Sequence, residues 1–208
     1  MNLEIWMAFA IAAMIVLVIP GPTILLVISQ AISHGRKAVI PLVSGVTLGD
    51  FTAMTLSLLG LGAILAASAA LFTVLKFIGA VYLIYLGIKL WRLNPEKNEI
   101  SFAGPKTSKG SLFKSAFVVT ALNPKSIAFF VAFLPQFINQ KSETVPQLFI
   151  LGATFLVLAA INATIYSIFA GQLRDTMKRT GVRRFFNRCG GSVLITAGIF
   201  TAMVKRSS

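Results

Sequence analysis

The sequence predicts an all-α membrane protein of six transmembrane helices, arranged as two inverted three-helix repeats in which helices 1 and 4 are broken by proline. Three observations carry that expectation: apolar stretches too long for a soluble globule, basic residues gathered in alternate loops, and proline breaks at corresponding places in the two halves. Of 208 residues, 56% are hydrophobic and only 12% charged, and the mean hydropathy is +0.84. Residues 5–35 and 144–173 carry no formal charge and residues 38–75 carry only Asp50. Each stretch exceeds the ~20 residues that cross a hydrocarbon core. A disordered chain, a disulfide scaffold and an ordinary soluble nucleic-acid binder are excluded by this balance.

Span 1 is expected over 5–32. Its leading residues, Met1-Asn2-Leu3-Glu4, lack the basic cluster of a secretory signal and the apolar run outlasts an h-region, so the segment is expected to remain in the protein. Spans 2 to 5 follow over 39–65, 71–90, 115–138 and 145–173. Span 6, over 185–204, contains Arg188, which is tolerable where a long side chain snorkels from a helix end. The whole chain, 1–208, reads as one transmembrane transporter domain. Its halves are about 1–91 and 112–208, joined by a cytoplasmic linker of about 92–111 that mixes Asn-Pro, Gly-Pro and both signs of charge.

The net charge of +13 comes from 19 Lys and Arg against 6 Asp and Glu. Fourteen of the 19 basic residues fall in three alternate regions, around Arg36-Lys37, from Lys89 to Lys114, and from Arg174 to Arg188. By the positive-inside rule those regions are cytoplasmic and both termini face outward; the short Lys205-Arg206 tail points the other way. No contiguous basic face with base-reading groups is apparent, so no nucleic-acid partner is expected. With one cysteine, Cys189, and one histidine, His34, the chain offers neither an internal disulfide nor a set of soft metal ligands.

Four polar interruptions fall at one depth. Span 1 is broken by Pro20-Gly21-Pro22 and span 4 by Asn123-Pro124-Lys125, while span 2 carries Asp50 and span 5 carries Asn162. Pro22 precedes Arg36 by 14 residues, Asp50 follows Lys37 by 13, Pro124 follows Lys114 by 10, and Asn162 precedes Arg174 by 12. At ~1.5 Å per residue each lies roughly 15 to 21 Å from a cytoplasmic charge. That is near the middle of a core ~30 Å thick. Proline-broken helices at matching places in two halves mark a transporter's central site, where freed backbone groups and half-helix dipoles meet a substrate.

Each feature has a plainer reading. The prolines could serve only to kink helices for packing. Asp50 and Lys125 could be a structural ion pair, and Asn162 an interhelical hydrogen bond. Gly45 and Gly49, four apart on one helix face, read first as a close helix approach, one that also brings Asp50 toward a neighbouring broken helix. Tyr82 and Tyr85 read as packing or interface residues.

Pro20-Gly21-Pro22 with Ile24-Leu25-Leu26-Val27, His34-Gly35-Arg36-Lys37-Ala38, Gly45, Gly49-Asp50, Tyr82-Leu83-Ile84-Tyr85-Leu86-Gly87 and Asn123-Pro124-Lys125 resemble, in that order, the LysE/RhtB family of bacterial amino-acid exporters. The resemblance covers nearly the whole chain. It implies efflux of amino acids such as lysine, homoserine, threonine or leucine across the bacterial cytoplasmic (inner) membrane by a multi-pass protein, driven by the proton gradient. Many members carry an acidic or amide residue after the Pro-Gly-Pro, where this chain has Thr23, a departure that bears on the substrate.

The residues expected to bind substrate or couple its movement are therefore Pro20, Gly21, Pro22, Thr23, Gly49, Asp50, Asn123, Pro124, Lys125 and Asn162. A free amino acid carries an ammonium and a carboxylate, so Asp50 and Lys125 offer a counter-charge to each end, and protonation of Asp50 would release the ammonium. Expected partners are a small-molecule substrate, protons and membrane lipid, with no cofactor and with homo-oligomerisation left open. Competing functions are an exporter of another small solute or cation, and a membrane assembly protein without transport. An intramembrane protease lacks a second carboxylate in the spans or a histidine near a nucleophile, so no enzyme is expected.

Overall fold

The structure, a computed structural model, describes residues 2–67, 69–93, 108–139, 142–172 and 179–203, and only the backbone of 61–67, 69–73, 75 and 76. Most of the expected 92–111 linker lies outside the described residues, as do Lys97, Lys106, Lys141, Arg174, Lys178 and the Lys205-Arg206 tail. Every described element is helical. In order they are α1 (Leu3–Val18), α2 (Pro22–His34), α3 (Val39–Ala67), α4 (Ala69–Arg92), α5 (Lys109–Ala121), α6 (Pro124–Ala128), α7 (Thr144–Ile168) and α8 (Thr180–Met203).

Span 1 is two helices, and the sequence says where it must divide. The residues before the prolines are pushed out of helical geometry: Ile19 has φ −68° and ψ 117°, and Gly21 has φ −115° and ψ −170°. Pro22 then starts α2, a first-turn position whose N–H would have no partner within α2. The second break repeats this design. Asn123, extended at φ −69° and ψ 112°, precedes Pro124 at the start of α6, and its side-chain oxygen accepts from the Lys125 amide at 3.0 Å. At ~1.5 Å per residue α1 reaches about 24 Å and α2 and α5 about 20 Å each, so none of the three crosses a ~30 Å core alone.

After α6 the chain passes through a π turn, Phe129–Phe133, and a 3-10 turn, Leu134–Phe137. Pro135 explains the irregularity, because it withholds an amide donor from the ladder. The Ala132 carbonyl is taken instead by the Gln136 side chain at 3.0 Å. A buried glutamine, Gln147, closes the next connection by bonding both the amide and the carbonyl of Asn139 at 2.9 Å.

Among the described residues two helical runs are long and apolar enough to cross a membrane, Pro22–Gly60 and Thr144–Ile168, and a third is added where Lys109–Ala121 and Pro124–Phe137, bent by 40°, count as one span. Two of the other expected spans have visible reasons for falling short by this measure: α1 has only 16 residues, and α8 carries Arg183, Arg184 and Arg188 in its first three turns. α8, where span 6 is expected, begins at Thr180, earlier than the expected 185.

Packing divides the interior into two main apolar clusters on either side of the breaks. One gathers Ile24, Val27 and Ile28 of α2 with Leu42 and Val46 of α3; the other gathers Phe9 of α1 with Phe129, Phe130 and Phe155. Glycine permits the closest approaches. A Cβ on Gly49 would lie 2.7 Å from the Thr120 Cβ, and one on Gly45 would lie 2.6 Å from the Phe113 carbonyl, so α3 rests against the backbone of α5. The expectation of packing at that glycine pair holds. Gly87 and Gly191 form a similar contact between α4 and α8, each aimed at the other's carbonyl. Outward the surface is apolar, with Ile40 81% and Phe149 76% exposed. Water would not tolerate such a surface at scale, whereas lipid tails match it.

Candidate functional site at the paired helix breaks

Pro20 and Pro22 decide which carbonyls are orphaned. In an unbroken helix the Val16 carbonyl would accept from the amide of residue 20, and the Val18 carbonyl from that of residue 22; proline has no amide hydrogen to give. The extended turn also removes the partners of Leu17 and Ile19. Orphaned carbonyls in a membrane interior each cost several kcal/mol, about the desolvation cost of a lone amide group. All four find donors from the other half of the chain.

The Lys125 ammonium donates to Val16 and Ile19, both at 2.9 Å. The Asn162 side-chain amide donates to Leu17 at 3.1 Å, and the Tyr166 hydroxyl to Val18 at 2.7 Å. The negative end of the α1 dipole therefore faces a cation and two neutral donors. Lys125 arrives there because Pro124 starts α6 beside this end, and Asn162 and Tyr166, four apart, share one face of α7.

The other polar residues lie around the same junction. The Thr23 hydroxyl accepts from the Asn123 side-chain amide at 3.1 Å and from the Thr120 hydroxyl at 3.3 Å, and all three side chains are buried. Those bonds join the first turn of α2 to the end of α5, so the two breaks meet directly. Gly21 leaves room for lysine: a Cβ there would lie 3.4 Å from Lys125 Nζ.

Asp50 is 2% exposed on α3, one residue past the Gly49 contact with α5. The Ser126 hydroxyl, in the first turn of α6, and the Lys125 ammonium act on its carboxylate. Its Oδ1 nevertheless has no hydrogen-bond partner. The lysine is hydrogen-bonded to α1 carbonyls and not to this carboxylate. Among the described residues no three of His, Cys, Asp and Glu lie close enough to share a metal ion.

All ten residues singled out from the sequence thus sit on the elements that meet at the two breaks. The plainer reading of Asn162 describes a contact that is present, an interhelical bond to a backbone carbonyl. Sequence reasoning missed Tyr166, Thr120 and Ser126. Tyr166 had a signal, since it stands one turn past Asn162 on the same helix face; Thr120, three before Asn123, had a weaker one.

The model for the LysE type translocator family matches residues 14–204. A homoserine/homoserine lactone efflux protein of Salmonella typhimurium is 30% identical over 207 residues, covering 100% of both chains. A leucine efflux protein of Enterobacter sp. is 32% identical over 170 residues, covering 81% of this chain and 80% of its own. An uncharacterized membrane protein of Vibrio cholerae is 31% identical over 205 residues, 99% of this chain and 100% of that one. No solved structure gives a significant match.

Proposed function

Because the chain belongs to the LysE type translocator family and is therefore a membrane transporter, not an enzyme, we propose that it exports amino acids or close derivatives from the cytoplasm across the bacterial cytoplasmic membrane in exchange for protons. The observation that carries this reading is the single buried junction formed by two proline-broken helices, in which the half-helix end of α1 and the carboxylate of Asp50 lie together. A zwitterion needs both signs: the C-terminal end of α1 and Asp50 are negative, and Lys125 and the N-terminal end of α2 are positive. The efflux proteins among the relatives, named for homoserine and its lactone and for leucine, favour an amino-acid cargo.

Asp50 is the coupling residue in this proposal. Ionised, it holds an ammonium group near the junction; a proton arriving from outside neutralises it and ends that hold, so inward proton movement accompanies outward release. The chain crosses the membrane six times, as one domain of two inverted halves. The packing supports that topology: α3 against α5 and α1–α2 against α7 are the contacts that exchange under a two-fold relation, while α4 against α8 maps onto itself.

Proteoliposomes loaded with a mixed pool of homoserine, leucine, threonine and lysine test the reading. Selective loss of one or more of these under an acid-outside gradient is the expected result. Release no faster than from protein-free vesicles would count against it.

A further inference from the structure

We propose that the carbonyl oxygens of Val16 and Ile19 form a seat for a primary ammonium group, that Lys125 fills this seat in the empty transporter, and that the cargo's ammonium takes it when Lys125 turns to Asp50. The inference rests on the amino-acid export reading for the identity of the cargo, and on geometry for the seat itself.

The two halves of the α1 end are capped differently. Leu17 and Val18 are held by neutral donors on α7, a long uninterrupted helix. Val16 and Ile19 are held only by the tip of a flexible lysine, whose ammonium matches a free amino acid's ammonium in charge and in number of N–H donors. The lysine stands in for cargo, tethered by its own chain.

A stand-in can leave only if a second partner waits for it, since an unpaired ammonium inside a membrane costs too much. Asp50 supplies that partner. Its buried Oδ1 has no hydrogen bond, and the lysine charge already acts on it. No other backbone donor or side chain has claimed the oxygen. When cargo enters, two ammonium groups meet two acceptor sets, the carbonyls and the Asp50 carboxylate; when it leaves, the lysine returns to the carbonyls. Lys125, Pro20 and Gly21 are only partly buried, and Gly21 places no side chain against the lysine tip.

Chemical rescue of Lys125→Ala in detergent micelles tests the seat without requiring transport. Methylammonium has the N–H donors that fit the vacated carbonyls, whereas tetramethylammonium has the charge and none of the donors. The melting temperature of Lys125→Ala should rise saturably, by several degrees, with methylammonium chloride and not with tetramethylammonium chloride. The wild type, whose seat is filled, should respond to neither. The Asp50→Asn, Lys125→Ala double variant should keep the gain, since the ion binds carbonyls and not the carboxylate.

If Lys125→Ala does not fold alone, recovery of monodisperse protein only when methylammonium is present during extraction gives the same support. Equal behaviour in the two salts, folded or unfolded, overturns the proposal, and so does loss of the gain in the double variant. A methylammonium response from a protein that exports nothing would uphold the seat and sink the export reading. Intact efflux without that response would do the reverse.

Discussion

The Tyr166 hydroxyl donates to the Val18 carbonyl at 2.7 Å, the carbonyl that Pro22 deprives of its helical partner. Removing the hydroxyl leaves a buried acceptor unpaired while the ring stays in place. Tyr166→Phe should lower stability by about 0.6 kcal/mol and by no more than ~1.7 kcal/mol, less than a lone carbonyl's full desolvation cost because the unfolded chain in the membrane also finds partners. Thermal melting of the purified variant in micelles reads this. An unchanged melting temperature would mean that water replaces the phenol at the α1 end.

Gly49 and Gly60 should respond oppositely to the same change. A Cβ on Gly49 meets Thr120 and the Phe117 carbonyl within 2.8 Å, whereas at Gly60 nothing lies within 4 Å. Gly49→Ala must push α3 from α5 and should cost about 1 to 3 kcal/mol. Gly60→Ala should be neutral or slightly stabilising, because alanine is the better helix former. Equal melting temperatures for the two variants would refute the close approach.

The two broken helices should be required for export and dispensable for insertion. A Pro22→Ala, Pro124→Ala variant regains both amides, and α1 can then continue into α2. Membrane-inserted protein is expected at normal abundance, with efflux reduced about tenfold or more, corresponding to roughly 1.4 kcal/mol in the transport barrier. Normal efflux from this variant would show that the prolines only shape packing.

Orientation follows from the charges and has its own check. Cysteine placed at Ser142, in the short connection before α7, should react with an impermeant maleimide added outside intact cells, and cysteine at Ser101 should not. The second site lies in the segment outside the described residues, so its side of the membrane rests on the basic residues alone. Labelling of Ser101→Cys from outside would invert the topology.

How far the sequence discloses this arrangement depends on the kind of interaction. Proline acts locally, so Pro20, Pro22 and Pro124 announce the breaks and even name the carbonyls, Val16 and Val18, left without partners. The Gly45–Gly49 spacing likewise declares a close helix approach before the neighbour is known. What the sequence hides is which donor reaches which carbonyl. Asp50 and Lys125, opposite charges on two of the expected spans, invite pairing, yet the lysine is hydrogen-bonded to two backbone oxygens instead, because the carbonyls orphaned at the negative end of α1 attract a cation. Tyr166 and Thr120 are marked in the sequence only by their spacing from Asn162 and Asn123, because the partner of a hydroxyl on an apolar helix lies across the interface.

Proton coupling through Asp50 is the central claim, and an imposed pH gradient tests it most directly. Wild-type and Asp50→Asn proteins would be reconstituted, loaded with the amino acid found to be exported, and compared with and without acid outside. The account predicts that the gradient accelerates wild-type release and drives cargo outward against its own concentration difference, while Asp50→Asn, inserted and folded, releases cargo only down its gradient and ignores the pH step. An Asp50→Asn protein that accumulates cargo outside as the wild type does, under the same gradient, would contradict it.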